Sequence, residues 1–259
     1  MENKKGFKIT IVILSLISLA TVGYIVYDKF FAKDDSEQEY ITVINDVSID
    51  VNKMYGVGDI LSKFDKAFST NDSKYLGYIY STKIIEARDF DKEAAIYVSM
   101  YSDLVRSNTE QTISNEIVKN RYEKIFGKAI KYKPNNKLNF GENINITYDE
   151  TNKVYKYIAS VTNNDHKSEY LARNIKTKLQ DDLVVVTRKV FYVEYSGISA
   201  IIYTNQDKTT RVGTVKLKDG EVSLEEVTGK YGSKLNTYEF TFKLGSNDEY
   251  NFYKIERTK

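Results

Sequence analysis

Apolar positions divide the chain into three regimes. The first is a single uninterrupted run, Ile9 to Tyr27 (ITIVILSLISLATVGYIVY), which contains no charged residue. A helix of ~19 residues at 1.5 Å each reaches roughly 28 Å, enough to cross the hydrocarbon core of a bilayer. Lys4, Lys5 and Lys8 precede the run, whereas Asp28, Asp34, Asp35, Glu37 and Glu39 follow it with only Lys29 and Lys33. That lysine bias predicts a single-pass membrane anchor at residues 9–27, a cytoplasmic tail at 1–8 and an extracytoplasmic remainder. Tyr24, Tyr27, Phe30 and Phe31 would form an aromatic collar at the outer interface. The competing interpretation is a cleaved signal peptide with Ser18-Leu19-Ala20 at its cleavage site, although the run is longer than a signal core requires. Small residues occur in the span, but no G-x-x-x-G, so it reads as an anchor rather than a dimerisation helix.

After an acidic spacer at 28–39, the second regime predicts an α-helical segment over 40–134, with apolar residues recurring every three or four positions. Tyr40, Ile44, Val47, Val51 and Met54 form one stripe, which Gly56 and Gly58 are expected to break. Asp59 would then cap a helix carrying Ile60, Leu61, Phe64, Ala67 and Phe68. A short helix with Tyr75, Leu76, Ile79 and Tyr80 would follow a cap at Asp72 or Ser73. Asp91 would open a helix through Ala94, Ala95, Val98, Tyr101, Leu104 and Val105. The longest would run from a Thr112 cap to Ile130, with Ile117, Val118, Tyr122, Ile125, Phe126 and Ala129 on one face and Pro134 beyond its end.

From about Ile144 the period changes from 3.6 to 2, which predicts an α+β fold with a mainly β segment over 138–259. Strands are expected at Val154–Val161, at Tyr170–Leu179 and, across Asp181-Asp182, at Leu183–Tyr195. Both faces of the last are apolar, which places it in the middle of a sheet. A turn at Ser196-Gly197 would pair Phe191 with Ile202 and Val193 with Ala200. Asp219-Gly220 predicts a hairpin with Lys218 opposite Glu221, Leu217 opposite Val222 and Val215 opposite Leu224. Thr237–Leu244 and Tyr250–Ile255 complete the strands. Helices followed by a curving antiparallel sheet resemble the NTF2-like and cystatin-like cone folds. The closing LNTYEFTFKLGSNDEYNFYKIERTK is similar to the last strands of single-pass, uncharacterised envelope proteins of low-GC Gram-positive bacteria. The resemblance implies a fold able to enclose an apolar pocket between sheet and helices. Some anchored NTF2-like proteins belong to secretion or conjugation assemblies, so it also implies a scaffolding role. It carries no functional residue across.

Composition narrows the chemistry. Lys4, Lys5 and Lys8 against Glu2 account for the whole net charge of +2, which leaves the remainder neutral and argues against nucleic acid as a partner. With no cysteine, disulfides, thiolate metal sites and cysteine nucleophiles are excluded, as suits a bacterial envelope protein held by its core alone. His166, the only histidine, sits in the polar loop 162–167 and reads as solvent-exposed. No G-x-S-x-G elbow or Walker A run occurs, and Gly56-Val57-Gly58 lacks the third glycine of a dinucleotide loop. Asp89-Phe90-Asp91 lacks the remaining ligands of a calcium loop, and the sequons at Asn71 and Asn145 carry little weight. The acid pairs Asp149-Glu150, Asp181-Asp182 and Glu225-Glu226 supply carboxylates, but adjacent residues of a strand face opposite ways. No residue is therefore assigned as catalytic, cofactor-binding or metal-binding. The expected role is a membrane-anchored, non-catalytic binding or scaffold protein, its partner an envelope protein, a glycan or an apolar ligand. The alternative is a wall-directed hydrolase with carboxylates brought together by folding.

Overall fold

A computed structural model describes residues 51–69, 73–141, 143–160 and 168–259, without the side chains of residues 51–53 and 137. All of them lie in one compact unit, Ile41–Lys259. The expected anchor, spacer and first helical turns, and His166, Val161, Asn71 and Asp72, lie outside the described residues. Among those described, no helix is long and apolar enough to cross a membrane.

The fold is α+β with antiparallel sheets. Helix α1 (Val51–Phe68) runs through Gly56 and Gly58 instead of breaking there. Val57, Ile60, Leu61, Phe64, Ala67 and Phe68 are all buried along it. That continuous apolar stripe outweighs the ~1 kcal/mol each glycine costs a helix interior. Asp59 consequently lies inside the helix and pairs with Lys63 one turn on rather than capping. The expected short helix is reduced to a 3-10 turn, Tyr78–Tyr80, followed by strand β1 (Ile84–Glu86). Helix α2 (Lys92–Met100) opens as expected, with Asp91 Oδ1 accepting a bond from the Ala94 N–H at 2.8 Å. It ends before Leu104 and Val105, and Val105 is exposed. Thr112 caps nothing, because it belongs to strand β2 (Ser107–Ser114), whose pairing keeps the backbone extended as far as Ser114. Ser114 is the cap of helix α3 (Asn115–Phe126). This shifts the buried face to Val118, Tyr122, Ile125 and Phe126, leaving Ile117 and Ala129 exposed.

Strands β3 (Lys137–Asn139), β4 (Ile144–Asp149) and β5 (Val154–Ala159) form a four-stranded sheet with β2 in the order β2-β5-β4-β3. The large sheet is built on β7 (Leu183–Ser196), which joins β6 (Ser168–Gln180) across Asp181-Asp182. Its other edge takes β10 (Asn236–Leu244) along one half and β8 (Ser199–Tyr203) along the other. Strands β11 (Tyr250–Arg257) and β1 extend one wing, and β9 (Arg211–Lys216) the other. The register between β7 and β8 differs by two residues from that expected. Gly197, at φ 58°, begins a two-residue turn, so Ser196 faces Ser199, Val193 faces Ile202 and Tyr195 faces Ala200. At Asp219-Gly220 the turn forms and Lys218 meets Glu221, but the hairpin ends at that bridge. Helix α4 (Leu224–Tyr231) begins instead, its Ser223 hydroxyl accepting from the Glu226 N–H.

Alternation on β7 sends its two faces into two cores. Val184, Val186, Val190 and Tyr192 pack beneath α1, α2, α3 and the inner face of the small sheet, in a core dense with rings. Phe64, Phe90, Phe126 and Phe252 meet there at centroid separations of 4.9 to 6.5 Å. On the opposite face Phe191 and Val193 pack with Ala200, Ile202 and Val215 under Val227 of α4.

Candidate functional site

Helix α4 covers the half of the large sheet's outer face formed by β8, β9 and the start of β6, its Thr228 meeting Arg173. Among the described residues no helix covers the other half, which is polar, and there the register brings together carboxylates that lie apart in sequence. Glu239 of β10 stands directly opposite Glu256 of β11. Such partners have Cβ atoms about 4.5–5.5 Å apart and repel unless balanced. The balance comes from Lys254, whose ammonium bonds Glu256 at 2.9 Å, and from Thr187, whose hydroxyl lies 3.5 Å from Glu239. The Lys254 hydrogen bond holds the Glu256 carboxyl below its ordinary range, with Lys83 adding to the effect. Lys189 reaches Thr237 at 2.8 Å on the same face, and Lys243 lies over the Tyr253 ring.

The acid pairs prominent in the sequence do not converge. Asp149 ends β4, where the Lys156 ammonium and the Asn152 N–H and amide depress its pKa, and Glu150 accepts from Asn136 at 2.9 Å. Asp181 and Asp182 occupy the β6–β7 turn, Asp181 at φ 51° and Asp182 within 3.5 Å of Lys243. Glu225 and Glu226 lie in the first turn of α4. Each pair thus has an ordinary structural job, and the favourable interactions at Asp149 and Glu256 favour the charged form. A general acid for glycoside cleavage needs the opposite shift. Asp91 is a helix cap and Asp89 pairs with Arg88, so neither builds a calcium loop. Among the described residues no three acidic or histidine side chains are placed to hold a metal.

A second feature is a groove of about 490 Å³ lined by Lys74, Leu138, Asn139, Gly141, Ile144 and Asn145. Gly141, at φ +129°, passes so close to the Ser73-Lys74 backbone that a Cβ there would stand 3.2 Å from the Lys74 nitrogen. Lys74 also donates its backbone N–H to the Phe140 carbonyl at 2.9 Å. Its ammonium bonds Glu93 at 3.1 Å and stands 5.1 Å from the Tyr75 ring centre. The Tyr75 hydroxyl also reaches Glu93, at 3.3 Å, and burial together with Asp91 and Glu93 pushes its pKa up, so it remains a donor. Asn145, marked in the sequence only as a sequon, is exposed on the rim. The wall is therefore polar and locally charge-balanced, on an apolar floor of Leu138 and Ile144.

Between α1 and β7 lies one further polar group. Arg188 is 3 % exposed and bonds both Asp65 oxygens, at 2.8 and 2.7 Å, while stacking 5.3 Å from the Phe240 ring. Its Nε and the neighbouring Tyr80 hydroxyl have no partner among the described residues. Alternation along β7 puts Arg188 on the same face as Val186 and Val190, but no spacing rule names Asp65 as its partner.

Comparison with known proteins finds no matching family model, no matching curated protein and no matching solved structure.

Proposed function

We propose that the chain is a single-pass membrane protein, anchored by residues 9–27, whose extracytoplasmic α+β body binds a partner or acts as a scaffold without catalysis. The observation that carries this is the uncharged apolar run with Lys4, Lys5 and Lys8 on one side and an acidic spacer on the other. An NTF2-like or cystatin-like form belongs to the same proposal. It is supported by three helices lying against one face of an antiparallel sheet whose long β6–β7 hairpin carries a bulge at Ile175. The separate four-stranded sheet is an addition to that plan.

Where a partner binds follows from how space is used. Aromatic rings fill the layer between α1–α3 and the large sheet, which favours a surface partner over an enclosed apolar ligand. The Lys74–Asn145 groove, with amide and ammonium groups over an apolar floor, suits a glycan or peptide segment. Full-length chain with a C-terminal tag, expressed in bacteria, tests the anchor. The tagged product should resist carbonate extraction from membranes and become accessible to external protease once the wall is removed; a freely soluble cytosolic product defeats the proposal.

The hydrolase alternative has one observation in its favour, the Glu239–Glu256 pair, two carboxylates brought from different strands to directly opposed positions. Against it stand the open face and the lowered pKa of Glu256. Turnover of purified peptidoglycan that disappears in Glu239→Gln would favour the alternative; no turnover by the unaltered chain would leave binding as the function.

A further inference from the structure

Strand β6 changes phase once along its length. Before the bulge Arg173 stands opposite Lys189; after Ile175, Lys176 stands opposite Thr187 and Lys178 opposite Val185. The extra residue therefore puts Arg173, Lys176 and Lys178 on one face of the sheet, beside Lys189. Without it, Lys176 and Lys178 would point toward the core. Arg173 and Lys189 donate to the Thr228 and Thr237 hydroxyls, and none of the four cations has a carboxylate partner among the described residues. The stripe runs roughly 15 Å along β6, with Lys176 and Lys178 about 7 Å apart. The same strand has a free edge, since among the described residues it pairs with β7 alone. Near its start the Tyr170 N–H, pointing away from β7, is taken by the Ser69 carbonyl at 2.8 Å. At its end the two-residue turn Asp181-Asp182 makes Gln180 and Leu183 the closing pair. The N–H and C=O of Thr177 and Leu179 consequently point outward, and no described residue bonds them. Their side chains belong to the inner face, where Leu179 packs against the ring-rich core.

We propose that this edge takes an extended acidic segment of a partner protein as an added strand, with acids beside Lys176 and Lys178 and apolar residues beside Thr177 and Leu179. The periods agree, because a strand presents every second side chain to one face at about 7 Å, the spacing of the two lysines. Lysines on an exposed edge ordinarily discourage pairing, since a neutral or basic strand leaves their charge opposed or unbalanced. An acidic strand removes that penalty, so the residues that block promiscuous pairing select this partner. A polyanion without a peptide backbone would meet the lysines but leave the Thr177 and Leu179 groups bare, which favours a peptide. So short an edge, held by few ion pairs, binds weakly and loses affinity as salt rises. This site rests on the binding reading proposed above and gives that partner its chemistry.

A fluorescent peptide of alternating valine and glutamate, Val-Glu-Val-Glu-Val-Glu-Val, titrated by anisotropy against full-length chain in detergent micelles, is the probe. It should bind at low salt, and at saturation amide exchange at Thr177 and Leu179 should slow roughly tenfold. Proline at its two inner valines keeps the charge, removes backbone donors and should weaken binding roughly tenfold. Lys176→Glu with Lys178→Glu should weaken the glutamate peptide by a similar factor and accept instead a peptide with lysine at each glutamate. Circular dichroism melts identify a variant that loses its fold, and the proline control needs no variant at all. No binding of the glutamate peptide, unchanged exchange at Thr177 and Leu179, or no exchange of preference on charge reversal overturns the proposal. So does a proline peptide, or tripolyphosphate, that binds as tightly as the parent peptide, because the lysines would then serve charge alone. A chain that stays in membranes but ignores the peptide loses this site and keeps the anchor; strand binding by a chain recovered from cytosol does the reverse.

Discussion

Replacing Asp65 by alanine isolates the charge that the fold has taken furthest from water. Arg188 is 3 % exposed, and both its terminal nitrogens are spent on Asp65. With the carboxylate gone, a guanidinium remains against Phe240 with no protein acceptor identified for it. Breaking a buried pair from one side costs about 3–5 kcal/mol. The Asp65 side chain is 35 % exposed, so water can enter the vacated space and solvate part of the charge. That places the expected loss near the lower bound, about 3 kcal/mol. For a body of this size, 1 kcal/mol moves the midpoint by about 2–4 °C, so Asp65→Ala should melt roughly 6–12 °C lower. Removing both charges, as in Asp65→Leu with Arg188→Met, should recover most of the loss, since an apolar replacement carries no desolvation cost. Thermal melts followed by far-ultraviolet circular dichroism, with urea titrations to confirm an unchanged m-value, provide the assay. A midpoint within 2 °C of the parent for Asp65→Ala, or a double variant no better than the single, would refute the premise that the helix is pinned through a dehydrated charge.

Other expectations follow from backbone and protonation. Gly56→Ala has open space for its methyl group inside α1 and should stabilise by about 0.5–1 kcal/mol in urea titration. Gly77→Ala should destabilise by at least ~1–2 kcal/mol in the same assay. Its φ is +65° and its Cβ would come within 2.5 Å of Tyr170 Cε2 and 2.7 Å of Gln206 Oε1. Ser223→Ala removes the α4 cap and should cost about 1 kcal/mol, read as faster amide exchange in residues 224–231. Burial raises the hydroxyl pKa of Tyr122 and Tyr170 from 10.0 to about 12. Above pH 10 the unfolded chain gives up those protons while the native chain keeps them. Stability should therefore be unaffected by these groups below pH 10 and fall between pH 10 and 12. Site-resolved NMR of the Tyr122 and Tyr170 rings, read beside the helical signal, checks this; either ring ionising in the intact fold at pH 10 would contradict it.

What the sequence disclosed and what it hid divide along physical lines. Strand β7 announced its central place because both of its faces are apolar, and Asp91 announced the start of α2 because a cap is a local event. Strand β2 was hidden, since Ser107-Asn108-Thr109-Glu110-Gln111 is an edge without apolar alternation and exists through pairing with β5. Helix α4 lost to a competing local signal. Asp219-Gly220 argues for a hairpin, yet Ser223-Leu224-Glu225-Glu226 is a capping-box pattern that an S-x-x-E search would have found. The Glu239–Glu256 pair is a product of register, and no spacing rule links residues that meet only once two strands align. Arg188 was illegible for a related reason, because its partner lies 123 positions away.

The wiring of the first core has a kinetic consequence. Tyr238 reaches back 158 positions to the Tyr80 carbonyl, and the final strand both covers Phe64 and supplies the edge on which Ile84–Glu86 hangs. Until Tyr250–Arg257 arrives, the earlier helices have no lid over their phenylalanines. Such a layout buys late closure: loop entropy must be spent before the most distant contacts give anything back. A polypeptide that cannot finish folding before its tail emerges stays threadable for as long as it is being made, which is the state in which a chain can be passed through a translocation pore.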